Sequence, residues 1–297
     1  MKDIGFIGLG IMGQPMVKNL LVANFRPFVY DINHNQALMV ESLGAHICDS
    51  PTDLALKSQI IFIMLPTNQI IDDLFFSPTG IINVIKPGSI VICTSSVSLS
   101  LITKMAKSLA KKQIALLDAP VSGGEVGAIE GTLSFMVGGQ AEVLKESREL
   151  FEVLGHSTVL IGDVGAGTIA KLANQILVNT TIAALSEAIF LASEFQIDTA
   201  KMVEAISQGL ASSAVLEQKS PMKLQRNFQA GGRIDINQKD MANVLAAGRD
   251  LQIALPLSEQ VHSYFDRLTS EGLAHEDHSA LLKYYELSNP LKGATDD

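Results

Sequence analysis

An α/β domain with a doubly wound, mostly parallel sheet, followed by an all-α domain, is the fold class this 297-residue sequence predicts. Three observations carry it. Short apolar runs alternate with amphipathic stretches of helical period as far as about residue 163. The first run passes through a glycine-rich turn, Gly8-Leu9-Gly10-Ile11-Met12-Gly13, into a helical stretch. After Gly162, Gly165 and Gly167 the stretch to Phe195 runs nearly thirty residues without Gly or Pro, and every later segment has helical periodicity. The domains are placed at 1–163 and 164–297, with a long helix joining them.

The elements follow in order. DIGFIG (3–8) is a strand, QPMVKNLLVA (14–23) a helix with Pro15 in its first turn, and PFVYD (27–31) the next strand. Leu38–Leu43 is helical, Ala45–Cys48 a short strand and Thr52–Lys57 a short helix. SQIIFIMLP (58–66) is a buried strand that Pro66 ends at the carboxyl edge, where open α/β sheets bind ligands. Residues 69–76 are helical, GSIVICTSS (88–96) is a strand opening onto hydroxyls at that same edge, and 100–112 is an amphipathic helix. Strands at 113–120, 133–139 and 157–163 surround a helix at 140–154. Beyond the long helix, helices are expected at 199–208, 212–219, 236–250, 256–270 and 277–288, punctuated by Gly231-Gly232 and Gly272.

The glycine-rich turn carries chemistry. Gly8 allows a tight turn, Gly10 lets the backbone approach a pyrophosphate, and Gly13 lets the helix pack on the strand. The N–H groups of the helix start, around Ile11 and Met12, face the anion. With a strand before, a helix after and Asp31 ending the second strand, this is a Rossmann dinucleotide fingerprint. The Asp31 carboxylate accepts both ribose hydroxyls of NAD and repels a 2′-phosphate, and Ile32-Asn33-His34-Asn35 offers no Arg or Lys to hold that phosphate. NAD is therefore the expected cofactor.

The long helix is apolar almost all round (Ile169, Leu172, Ile176, Leu177, Ile182, Leu185, Ile189), which reads as a helix buried between two bodies. Asn179, Ser186 and Glu187 break any run of about eighteen apolar residues, arguing against a membrane span. Lys171, Asn174 and Gln175 share one face of its first turns. The positive helix end and desolvation both disfavour an ammonium at Lys171, as a proton-exchanging lysine requires. The alternative is a lysine that snorkels to water. Elsewhere, Asp118-Ala-Pro-Val-Ser122-Gly123-Gly124 sets a hydroxyl and free backbone N–H groups on a turn that suits a carboxylate, or is an ordinary strand-to-helix loop. Lys239-Asp240 opens a further helix in the second domain, where a surface salt-bridging lysine is the bland reading. His275-Glu276-Asp277-His278 lacks a third nearby ligand, so no metal is expected there, and Asp277 reads as an N-cap.

Hydrophobic content of 47% against 18% charged residues is that of a globular chain. A net charge of −9 argues against nucleic acid as a partner, and an anionic ligand must then be held by local lysines and backbone amides. Cys48 and Cys93 have no metal or redox spacing, which fits a reducing cytoplasm. Asp3, the early glycines, Pro15 and Lys18 break any signal-peptide core.

In this order, FIGLGIMGQPM, DAPVSGGEVGA, the GxGxxxKxxN pattern of Gly165, Gly167, Lys171 and Asn174, and INQKDMANVL resemble the β-hydroxyacid dehydrogenase family over essentially the whole chain. KLANQ (171–175), RIDINQKDMANVL (233–245) and DHSAL (277–281) look most like its tartronate semialdehyde-reducing branch. The resemblance implies Lys171 as general acid, Ser122 with Gly123 and Gly124 holding the substrate carboxylate, and Leu65, Pro66 and Ser96 lining the cofactor. It also implies Lys239 beside the nicotinamide pocket. Many relatives carry Asn four residues after the lysine. Here that position is Gln175, with Asn174 preceding it, so both amides are candidates for the substrate. The 6-phosphogluconate branch has His and Glu three and seven residues after the lysine. Asn174 and Val178 stand there instead, which disfavours oxidative decarboxylation.

The expected activity is reversible hydride transfer between NADH and a small carboxylate-bearing aldehyde or the corresponding hydroxyacid. Tartronate semialdehyde comes first. A 3-hydroxyisobutyrate, succinic semialdehyde or glyoxylate specificity is the near alternative, and a non-catalytic NAD-binding scaffold the distant one. Against the scaffold stands Lys171, whose burial costs stability unless it is used. The apolar second domain and Tyr284-Tyr285 lead to an expected homodimer or homotetramer.

Overall fold

The computed structural model describes residues 2–289, and the chain divides into two compact units, Met1–Lys171 and Leu172–Asp297. The first is built on nine strands: β1 (Ile4–Ile7), β2 (Phe28–Tyr30), β3 (His46–Ile47), β4 (Ile60–Ile63), β5 (Ile90–Cys93), β6 (Ala115–Asp118), β7 (Val121–Ser122), β8 (Leu133–Gly138) and β9 (Gly155–Gly162). Their order is β3-β2-β1-β4-β5-β6-β8-β7, with β9 beside β8. The six strands β3 to β6 are parallel, and β8 runs antiparallel to β6 and β7. This is the doubly wound sheet expected, with the order reversing between β1 and β4.

The parallel strands read as unbroken apolar runs because both faces are covered. Phe6, Ile60, Phe62, Ile92 and Leu117 point into one core, and Ile7, Ile61, Ile63, Val91 and Leu116 into the other. Phe6 and Phe62 stack at 5.5 Å in the first of these. The short strand β7 was not anticipated, since two residues carry no period. The helix expected over 140–154 is broken at Ser147 into Ala141–Glu146 and Arg148–Leu154.

In the second unit the helices are Thr199–Ser207, Ala214–Leu224, Ile234–Asp250 and Pro256–Ser270, then a 3-10 turn at His278–Leu281 and a helix at Leu282–Ser288. The second of these was expected to stop before Pro221. It continues to Leu224, because Lys223 beyond the proline is buried and hydrogen-bonded to Ser186 Oγ (2.5 Å) and the Ser279 carbonyl (2.7 Å). Asp277 does cap the last turn, accepting from Ser279 N–H at 2.9 Å, and also receives the Lys219 ammonium at 2.9 Å.

The long helix spans Ala166–Glu194 and crosses the division between units. Two expectations about it need correction. It is not buried all round: Leu177 and Leu191 are 70% and 59% exposed in the single chain. Nor do its polar residues remove it from the class of helices long and apolar enough to cross a bilayer, its mean hydropathy reaching 1.6 over eighteen residues. Asn179 Nδ2 and Ser186 Oγ donate to carbonyls one turn back, which lowers the cost of carrying these polar groups in an apolar helix. What marks it as a core helix is Ile182, Ala183, Leu185 and Ile189, which pack into the two apolar clusters of the second unit.

Candidate functional site

The fingerprint turn is sterically determined. Gly8 has φ +100°, and a Cβ there would meet the Met64 carbonyl oxygen at 2.2 Å. A Cβ at Gly13 would meet the Gly8 carbonyl oxygen at 1.9 Å, whereas one at Gly10 would meet open space. The outer glycines close the turn and the middle one leaves room for a ligand's approach. The helices starting at His34, Pro51, Asn68 and Leu99 are each capped by a side chain, of Asn33, Ser50, Thr67 and Ser98. The fingerprint helix, Gly13–Val22, has no side-chain cap. Its first N–H groups are left to the turn itself and to a ligand, as pyrophosphate binding requires. Ile11 and Met12 lie on this approach, exposed and half-buried.

Asp31 is fixed from both sides. Leu9 N–H donates to its Oδ2 at 2.6 Å and Asn33 N–H to its Oδ1 at 2.8 Å. Each oxygen keeps acceptor capacity for a ribose hydroxyl. Leu9, predicted as a cofactor residue, thus has a buried side chain and an amide that aims the acid. Leu65 and Ser96 are half-buried and Pro66 exposed at the carboxyl ends of β4 and β5. Ser95 Oγ joins these ends, accepting from Leu65 N–H at 2.7 Å. These residues fit a dinucleotide cofactor, and all of them lie in one unit.

On the same sheet, β6 leads to the turn at Ser122-Gly123-Gly124. Gly123 and Gly124 have φ of +129° and +62° and are exposed, with Ser122 half-buried beside them. Consecutive left-handed glycines turn backbone N–H groups outward, the concavity expected to take a carboxylate.

One residue of this motif was quoted in the sequence but given no role. Asp118 is fully buried, and its carboxylate accepts from Gly165 N–H (3.0 Å), Thr168 N–H (2.7 Å) and the Thr168 hydroxyl (2.7 Å). It caps the start of the long helix from a remote strand. Burial pushes its carboxyl pKa up, while these hydrogen bonds pull it down. Gly167 has to be glycine because a Cβ would meet the Asp118 and Met136 carbonyl oxygens at 2.3 and 2.4 Å. The substrate turn and the first turn of the lysine's helix are thereby tied together, and Lys171, itself buried, lies three residues beyond Thr168.

In the second unit the two candidate amides separate. Gln175 is 6% exposed, and its amide nitrogen donates to Asp240 Oδ2 (2.7 Å) and Asn237 Oδ1 (3.3 Å). Its carbonyl oxygen accepts from Asn174 at 3.0 Å. Asn174 and Lys239 are half-buried, and the Lys239 ammonium lies 3.0 Å from Asp240 Oδ1. The pairing of Gln175 with Asp240 carried no cue, because it spans 65 residues.

Comparisons with known proteins identify the family. Residues 3–162 match the family described as the NAD binding domain of 6-phosphogluconate dehydrogenase. Residues 165–285 match the NAD-binding family of NADP-dependent 3-hydroxyisobutyrate dehydrogenase. The chain is 37% identical to the 2-hydroxy-3-oxopropionate reductase of Escherichia coli, over 96% of this chain and 97% of that one. It is 35% identical to the 2-(hydroxymethyl)glutarate dehydrogenase of Eubacterium barkeri, over 95% and 94%. Among solved structures, 3-hydroxyisobutyrate dehydrogenase from Salmonella typhimurium superposes with a TM-score of 0.87 at 26% identity, covering 95% of this chain and 99% of that one. The chain belongs to the β-hydroxyacid dehydrogenase family and is an NAD(P)-dependent oxidoreductase acting on a hydroxyl group.

Proposed function

We propose that the protein reduces tartronate semialdehyde (2-hydroxy-3-oxopropanoate) to glycerate with NADH, reversibly. The observation that carries the substrate choice is a cluster in the second unit. The three stretches that resemble tartronate semialdehyde reductase are bonded to one another there. Gln175 of the first holds Asn237 and Asp240 of the second, and Ile234 N–H of the second donates to the Glu276 carbonyl beside the third at 2.9 Å. The 37% identity to the E. coli reductase supports the same choice.

Gly8, Gly10 and Gly13 cradle the pyrophosphate, and Asp31 takes the ribose hydroxyls, favouring NAD over NADP. Bound NADH supplies the hydride. The Ser122 hydroxyl and the N–H groups of Gly123 and Gly124 hold the substrate carboxylate, and Asn174 adds an amide contact. The Lys171 ammonium donates its proton to the aldehyde oxygen as hydride reaches the carbon, and takes one back in the reverse direction. Lys239 is assigned to the reacting end of the cofactor. A homodimer or homotetramer in the cytoplasm completes the proposal.

A panel of tartronate semialdehyde, methylmalonate semialdehyde, succinic semialdehyde and glyoxylate, read by nicotinamide absorbance with NADH and NADPH in parallel, tests it. The highest kcat/KM is expected for tartronate semialdehyde with NADH. A higher value for another aldehyde overturns the substrate, and a preference for NADPH overturns the role given to Asp31.

A further inference from the structure

We infer that Gln175 is a positioning residue rather than a substrate ligand: with Asp240 it forms a buried bridge that fixes the Lys239 ammonium. The inference rests on the assignment of Lys239 to the reacting end of the cofactor. Both amide hydrogens of Gln175 face carboxylate or amide oxygens of the protein, at 2.7 Å to Asp240 and 3.3 Å to Asn237. Its carbonyl oxygen is engaged by Asn174. With the side chain 6% exposed and its donors committed, a substrate carboxylate would have to displace a charge-assisted hydrogen bond to reach it.

What the bridge does follows from Asp240, which is 3% exposed. A buried carboxylate held through one oxygen only can rotate, and with it a cation it carries. Here Oδ2 is pinned by Gln175, so Oδ1 is presented in one direction, 3.0 Å from Lys239 Nζ. Neutral Gln175 is suited to this task. It supplies a donor to the carboxylate without a charge that would compete with Lys239 for it. An asparagine at 175 has one methylene fewer and reaches less far toward Asp240.

Two linked experiments test the bridge, with melting temperature followed for every variant. Gln175→Glu sets two carboxylates against each other and is expected to lose at least about tenfold in kcat/KM, within the range of coupling between contacting residues. Adding Asp240→Asn restores a donor-acceptor pair, and the double variant should recover to within about threefold of wild type. No recovery in a folded double variant overturns the bridge. The second experiment crosses Gln175→Met with Lys239→Met. The Gln175→Met loss should be present in the wild-type background and nearly absent once Lys239 is gone. An equal loss in both backgrounds, carried by substrate KM, makes Gln175 a direct ligand and overturns the inference. If Lys239→Met alone leaves kcat/KM unchanged, the assignment of Lys239 falls, and the inference with it.

Discussion

A buried lysine has to be explained residue by residue, and Lys223 is the clearest case. Its burial lowers the ammonium pKa to about 7, with the nearby Lys219 charge adding to the effect and Asp277 opposing it. Between pH 7 and 10.5 the unfolded chain holds a proton on this side chain that the folded chain lacks, so stability rises with pH across that window. Below pH 7 the cost is fully present and constant. Lys223→Met removes the titration. Its unfolding free energy, measured by denaturant at pH 7 and pH 10, should improve relative to wild type by a few kcal/mol on going to the lower pH. A pH-independent difference would show that Lys223 is not neutral in the fold. At Ser122 the expectation concerns charge in the opposite sense. Ser122→Ala should chiefly raise the aldehyde KM, and Ser122→Glu should nearly abolish binding by placing a carboxylate against a carboxylate. Steady-state kinetics check this, and normal turnover in the Glu variant would move the substrate elsewhere.

At the scale of elements, what could be read from the sequence was whatever acts locally. Gly8 and Gly13 were legible because a side chain at either position collides with backbone a few residues away or on the next strand. The strands were legible because both their faces are apolar, and the long helix because nothing in it breaks a helix. The remote cap was not legible. Asp118 reaches Gly165 and Thr168 across 47 and 50 residues, and no period or spacing in a single sequence reports such a pairing. The same holds for Gln175 and Asp240, and for the extension of the Ala214–Leu224 helix past Pro221, which depends on where Lys223 is buried. The cap gives a prediction. Asp118→Asn keeps the shape but offers one amide oxygen and an NH2 group where the carboxylate met three donors. It should cost roughly 1–3 kcal/mol in thermal or denaturant unfolding. It should also lower kcat, since Lys171 rides on the turn that Asp118 holds. Loss of stability with kcat intact would confine Asp118 to folding.

At the scale of the whole molecule, the chain joins a sheet-based unit that fits the cofactor to a helical unit. The proposed determinant of cofactor choice, Asp31, lies in the first unit. Asp31→Ala combined with Ile32→Arg should weaken NADH use and admit NADPH, by removing a charge that repels the 2′-phosphate and adding one that attracts it. Initial rates with both cofactors measure the switch, and an unchanged ratio would place selectivity elsewhere. The central claim, however, is that this scaffold performs proton-coupled hydride transfer through one lysine. It is tested most directly by kcat for tartronate semialdehyde reduction in wild type, Lys171→Ala and Lys171→Arg, with NADH affinity measured alongside. Lys171→Ala should lose about 10²–10⁴-fold in kcat, the range of one general acid. Lys171→Arg should not rescue it, because a guanidinium does not release its proton near neutral pH. NADH affinity should hardly change in either variant. Full turnover by Lys171→Ala would contradict the account.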